Sequence, residues 1–290
     1  MFPAPFEYVS AHSLDEALEV LESRAGEAKV LAGGQSLIPM MRFRLAQPQV
    51  LVDINPIKLL EDLHEQDDAL HIGALARHAT LEFSPLIQQR YPLIADVSRV
   101  VADPTVRNLG TLVGSLCHAD PAGDFGSAAL AAGAEVIITS SRQHRSLPVD
   151  AFFLDTFSTA LEEDEIVTEV RWPKPKPRSA GAYLKIERKV GDFAIVGTAV
   201  QMALDEGGRI AEAGIGLCAV GPISLRAKQA ERLLVGQSPS AELFQEVARQ
   251  AARESDPTSD TRGSKEYKQD MVRVLTLRAL QRAYQRIQAA

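Results

Sequence analysis

At 290 residues the chain exceeds the usual single-domain size, so two or three domains are expected. Hydrophobic residues at 46% and charged residues at 24% give the balance of a soluble globular protein. A net charge of −7 without a basic run offers nothing to nucleic acid or an anionic lipid surface, and no apolar stretch nears the ~20 residues of a membrane span.

The opening "MFPAPFEYVS" lacks both a basic n-region and a long apolar segment, which predicts a chain that is not exported. Ser13 and Glu16 have the spacing of a capping box, and Leu14, Ala17, Leu18 and Leu21 follow at helical period. "AKVLA" at 28–32 predicts a strand, "SLIPMMRF" a helix start and "VLVDI" at 50–54 another strand. Together these make a β–α–β-like opening unit. From about residue 69 "ALHIGAL" reads as a strand, "PLIADVSRVVA" as a helix and "GSAALAAG" as a small-residue helix ended by Gly133. "AEVIITS" and "EIVTEVRW" are strands by their β-branched content. "PKPKPRSAG" at 173–181 is the clearest linker, because alternating prolines resist both helix and central strand. Beyond it "AYLKIERK", "AIVGTAVQMAL", the turn signal "DEGGR" and "IAEAGIGLCAVGP" predict three antiparallel strands. Three helical patterns close the chain, the last long and basic on its polar side. It reads as a domain-closing helix with a solvated face, or as a helix for a partner.

The chemistry gathers in two glycine-bearing stretches. In "AGGQS" a strand delivers the chain to Gly33 and Gly34, and Ser36 is placed to cap the next helix. Such a turn serves as a nest of N–H groups for phosphate, or simply as a tight strand–helix connection. It is neither GxGxxG nor GxxxxGK[ST], so no Rossmann or Walker site follows. "RNLGTLVGSLCHADPAGD" at 107–124 sets Gly110 and Gly114 among the hydroxyls of Thr111 and Ser115, with Asp120 and Asp124 flanking Pro121. Bare backbone, hydroxyls and a carboxylate suit a pyrophosphate or a polyol chain. The same residues also suit a helix capped by Asp120 with Pro121 at its first position. Cys117 and Cys218 are the only cysteines, without CxxC, which points to a cytoplasmic chain that cannot ligate its own Fe–S cluster. Cys117 reads as a packed side chain and His118 as a structural loop histidine. With six scattered histidines and no HExxH, no metal site is expected.

These two stretches, followed by "ERKVGDFA" at 187–194, resemble the FAD-binding medium subunit of the molybdenum hydroxylases along essentially the whole chain. The resemblance implies an α+β fold, with a PCMH-type FAD-binding region of two α/β subdomains (1–54 and 55–176). A C-terminal flavoprotein domain (177–290) would carry a three-stranded antiparallel sheet and helices. It places one phosphate loop on Ala32, Gly33, Gly34, Gln35 and Ser36 and a second on Thr111, Leu112, Val113, Gly114 and Ser115, with Asp124 as the closing acid. Where the family shows TIGGN or TIGGD this chain has TLVGS, so Val113 should avoid positive φ or make one fewer close approach. Val101 falls at an apolar position beside the adenine, Val167 and Lys185 near the flavin, and Phe193 against the isoalloxazine. Lys185 there would stabilise reduced flavin by charge, or is an ordinary strand lysine. FAD is expected noncovalently, since "AGGQS" offers no His or Cys. No catalytic side chain is demanded. The implied function is electron transfer from 2Fe–2S clusters on a small subunit through FAD to NAD, a quinone or O2. A large subunit would carry molybdopterin, the whole forming a dimer of heterotrimers. The competing readings are a self-sufficient FAD-dependent oxidase and a non-enzymatic nucleotide-binding assembly module.

Overall fold

Three parallel strands open the chain in the computed structural model, which describes residues 2–289. They are β1 (Glu7–Ser10), β2 (Ala28–Leu31) and β3 (Val50–Asp53), in the order β1-β3-β2. The helix α1 (Leu14–Ser23) crosses from β1 to β2, and α2 (Leu37–Arg42) leads from β2 to β3. Ser13 Oγ accepts the Glu16 N–H at 3.1 Å, and Glu16 reaches back to the His12 N–H at 2.8 Å, so the capping box forms. Ala17, Leu18 and Leu21 are the buried stripe of α1. Strand β1 is absent from the sequence reading: four edge residues, none of them buried, show no hydrophobic signal.

A five-stranded antiparallel sheet follows, ordered β4-β5-β10-β6-β7. Its strands are β4 (Leu63–Gln66), β5 (Ala69–Gly73), β6 (Glu135–Thr139), β7 (His144–Pro148) and β10 (Ile166–Pro173). The last strand in sequence thus lies at the centre. Between β5 and β6 run α3 (His78–Phe83), α4 (Pro85–Arg90), α5 (Pro92–Val100), α6 (Pro104–Leu109), α7 (Leu112–His118) and α8 (Asp124–Ala132). A short α9 (Val149–Phe152) precedes the small hairpin of β8 (Phe153–Asp155) and β9 (Ser158–Thr159). The expected cap at Asp120 does not form. Asp120 instead closes a turn, accepting the Ala122 N–H on its carboxylate and the Gly123 N–H on its carbonyl, both at 2.9 Å, and the helix starts at Asp124.

The third layer is the antiparallel sheet β11 (Ser179–Ile186), β12 (Val196–Leu204), β13 (Ile210–Cys218) and β14 (Leu225–Arg226). The two-residue β14 adds a fourth strand to the three expected. Its concealed face packs α10 (Lys228–Leu234), α11 (Ala241–Glu254) and α12 (Lys265–Ala289). Its other face lies on α8, whose residues Asp124 to Ala131 are all buried. A Cβ at Gly214 or Gly216 would stand 1.9 Å from a carbonyl of α8, so bare backbone is what lets helix and sheet touch. Arg286 on α12 then grips Asp96 on α5 with two bonds of 2.7 and 2.8 Å.

Candidate functional site

The strand β2 ends at Leu31 and delivers the first glycine stretch into a half-buried loop. Gly34 takes φ +71°, a region costly for any residue with a Cβ. Among the described residues, the N–H groups of Gly33, Gly34, Gln35 and Ser36 donate to no oxygen of the chain. Ser36 does not cap α2, because its backbone is already helical (φ −107°, ψ −49°) and its hydroxyl bonds nothing at the helix end. Four successive half-buried amides without a protein acceptor are free to receive solvent or an incoming anion.

The second stretch lies against the first. A Cβ on Gly33 would stand 2.3 Å from the Leu109 carbonyl and 2.8 Å from the Gly110 Cα. Gly33 is bare because another loop presses on it. Thr111 caps α7, its Oγ1 accepting the Gly114 N–H at 3.0 Å. Leu112 and Val113 point into the core, at 0% and 3% exposure, so they can offer a ligand only their backbone. Val113 sits in the first turn of α7 without positive φ, in keeping with the loss of the family's glycine. Ser115 lies two residues further, half-buried and facing Gly123.

Asp124 and Lys185, 61 residues apart, come together at the junction of α8 and β11. Lys185 Nζ lies 3.4 Å from Asp124 Oδ2, 3.1 Å from Glu187 Oε2 and 3.1 Å from the Asp192 carbonyl. Two carboxylates therefore already balance the ammonium. Asp124 also accepts the Tyr183 hydroxyl at 2.5 Å. Burial raises the Asp124 pKa, against the lowering effects of Lys185 and Tyr183. The Tyr183 hydroxyl is 3.5 Å from Cys218 Sγ, whose thiol burial pushes up to about 12. Burial does the same to Cys117, which agrees with a packed side chain.

The remaining positions scatter around these groups. Val101 closes α5, and its carbonyl accepts Arg107 Nη1 at 3.0 Å. Val167 lies in β10 with its side chain in the core, at a bulge against β6. Phe193, half exposed, is carried on the β11–β12 loop, where Arg262 Nη1 holds its carbonyl at 3.2 Å. Beside the loops sit residues absent from the sequence reading. Asn55 and Arg77 bond the carbonyls of Ala32 and Leu109. The His78 ring stacks on Phe125 with centroids 5.2 Å apart. Burial, and then Arg107 and Arg77, push His78 down to about 4. Polar residues just past strands carry no signature of such partners.

Residues 4–175 match the family described as the FAD binding domain in molybdopterin dehydrogenase, and residues 181–283 match the CO dehydrogenase flavoprotein C-terminal domain. The chain belongs to this flavoprotein family. FAD is its cofactor, and it is an oxidoreductase flavoprotein subunit, the medium subunit of a molybdenum hydroxylase. The carbon monoxide dehydrogenase medium chain of Hydrogenophaga pseudoflava is 38% identical over 99% of both chains. The 6-hydroxypseudooxynicotine dehydrogenase complex subunit alpha of Paenarthrobacter nicotinovorans is 35% identical over 99% of this chain and 97% of its own. A solved structure of the Hydrogenophaga pseudoflava carbon monoxide dehydrogenase superposes with a TM-score of 0.95, at 40% identity over 99% of both chains. The unpaired amides of Gly33 to Ser36 fit the pyrophosphate of FAD. Among the described residues no helix is long and apolar enough to cross a membrane, and no three His, Cys, Asp or Glu side chains cluster as metal ligands.

Proposed function

We propose that this chain is the electron-transfer subunit of a multi-subunit molybdenum hydroxylase. The observation that carries the reading is the row of unpaired amides at Gly33–Ser36, pressed against a second glycine loop in a chain of this family. When bound, FAD would supply an electron carrier between 2Fe–2S clusters on a small subunit and NAD, a quinone or O2, with substrate oxidation left to molybdopterin on a large subunit. Two cysteines are too few for the usual four-thiolate ligation of a cluster, so the clusters belong to a partner.

The chain's own residues bind and orient. Ala32–Ser36 and Thr111–Ser115 hold the pyrophosphate and neighbouring polyol, largely by backbone N–H groups. Val101 lines the adenine side, and Phe193, with the backbone at Val167, borders the flavin ring. Asp124, kept in place by Tyr183 and Lys185, accepts hydrogen bonds from the cofactor. The units run 1–54, 55–176 and 177–290, with FAD between the first two and its ring toward the third. No Cys or His lies in "AGGQS", so FAD is held noncovalently. The assembly is a dimer of heterotrimers.

Purification from the native source through a tag on this chain tests the reading. Two further subunits should accompany it, with molybdenum and iron, and anaerobic reduction of the iron should bleach the flavin absorbance. Full activity of the isolated chain on an organic substrate would establish the self-sufficient oxidase instead.

A further inference from the structure

A polar bracket joins the two glycine loops from behind. Asn55, just past β3, donates through Nδ2 to the Ala32 carbonyl at 2.9 Å and to Asp53 Oδ1 at 2.5 Å. Its Oδ1 accepts Arg77 Nη2 at 2.5 Å, and Arg77 Nη1 donates to the Leu109 carbonyl at 2.5 Å. Both ends of the Asn55 amide are engaged, so its partners fix which way it faces. Asp53 is itself held by the Tyr8 hydroxyl at 2.5 Å, which ties the bracket to the first sheet.

The carbonyls that the bracket takes are not arbitrary ones. Ala32 immediately precedes Gly33, and a trans peptide points its C=O and N–H in opposite directions. Holding the Ala32 carbonyl on Asn55 therefore turns the Gly33 N–H away from Asn55. Leu109 bears the oxygen that would stand 2.3 Å from a Gly33 Cβ, so fixing that carbonyl fixes where the second loop meets the first. A guanidinium suits the task because its rigid fork reaches two acceptors at once. An ammonium at the same place is a single point charge. Burial lowers the Arg77 pKa, opposed by Glu61 and Asp53.

We propose that Arg77 and Asn55 are the positioning residues of the cofactor groove: they pin one carbonyl of each glycine loop and so set the direction and spacing of the amides that receive the pyrophosphate. This rests on the assignment of the FAD pyrophosphate to those loops. Neither residue touches the cofactor. Each acts through the backbone it holds, and the two act as one unit, because Asn55 Oδ1 is the acceptor for Arg77.

The test titrates FAD, and separately riboflavin, which has the ring without phosphates, into the FAD-free full chain. The proteins are wild type, Arg77→Met, Arg77→Lys, Asn55→Ala and the double variant Asn55→Ala/Arg77→Met, with thermal unfolding of each FAD-free chain measured alongside. Arg77→Met and Asn55→Ala should each weaken FAD by about tenfold or more, and the double variant should be no weaker than the worse single one. Arg77→Lys should fall between wild type and Arg77→Met, and riboflavin affinity should not change. If Arg77→Met fails to fold, Asn55→Ala and Arg77→Lys decide the matter by the same criteria. FAD affinities within twofold of wild type would overturn the proposal, as would equal losses for FAD and riboflavin, which mark a general loosening. A wild-type chain that takes up no FAD would instead overturn the assignment of the loops, and the bracket's role with it.

Discussion

At the scale of single residues, His78 shows how the groove's surroundings constrain chemistry. It opens α3 with 4% exposure, stacked on Phe125, and its Nδ1 has no partner. A group pushed down to about 4, against roughly 6.5 when unfolded, resists protonation only in the folded state. The unfolded chain therefore binds the extra proton between those values. The contribution to stability is complete above about pH 6.5 and is lost as pH falls toward 4, on the order of 3 kcal/mol in all. Urea unfolding at pH 7 and pH 5 should show a loss of about 2 kcal/mol in the wild type that His78→Gln, already weaker at pH 7, does not repeat. Parallel losses in the two proteins would contradict this. The sequence showed the glycines at 33, 34, 110 and 114 because glycine beside hydroxyls is local turn chemistry. It did not show Asn55, Arg77 or Tyr183, because their partners lie 23, 32 and 59 residues away. Ser36 misled because capping needs an extended backbone, and the structure holds that residue in a helical one.

At the scale of elements, the helices and strands that mattered most were legible where burial imposed a period. The stripe of α1 is the example, while α8, buried along its length, was legible instead from its run of small residues and the Gly133 that ends it. Strands β1, β4, β7, β8, β9 and β14 were missed, being two to five residues long and mostly unburied. The junction between α5, β11 and α12 was likewise hidden, because it is made by charge. Asp96 receives two bonds from Arg286 and the Tyr183 N–H at 3.1 Å, and Arg286 also donates to the Gly181 carbonyl at 2.6 Å. The Asp96 side chain is only 10% exposed, so removing it strands two sets of donors. Asp96→Ala should lower stability by about 2–3 kcal/mol, a shift of several degrees in Tm, short of the largest buried-pair losses because Arg286 keeps water contact. Arg278→Ala, on the exposed side of the same helix, should change stability by less than about 0.5 kcal/mol. Equal effects of the two would show that the pair does not join the layers.

At the scale of the whole molecule, the proposed cofactor groove draws on distant parts of the chain. Residues 32–36 follow β2 of the first sheet and residues 109–115 run from the end of α6 into α7, while Lys185 lies on β11 of the third sheet and Phe193 on the loop after it. The carbon monoxide dehydrogenase medium chain and the 6-hydroxypseudooxynicotine dehydrogenase complex subunit alpha each match 99% of this chain. The shared architecture therefore serves complexes of different name. The central claim is that FAD binds where the two glycine loops press together, and a titration of FAD into the FAD-free chain tests it most directly. The wild type should take up one FAD per chain, all of it released to the supernatant by acid. Gly33→Ala must push a methyl against the Leu109 carbonyl, 2.3 Å away, and so part the loops. It should weaken FAD on the order of a hundredfold, while keeping the far-UV circular dichroism of the wild type. Gly34→Ala incurs backbone strain of about 1–2 kcal/mol at φ +71°, plus a side-chain adjustment, and should weaken FAD by about tenfold. Native circular dichroism with wild-type FAD affinity in Gly33→Ala would contradict the account.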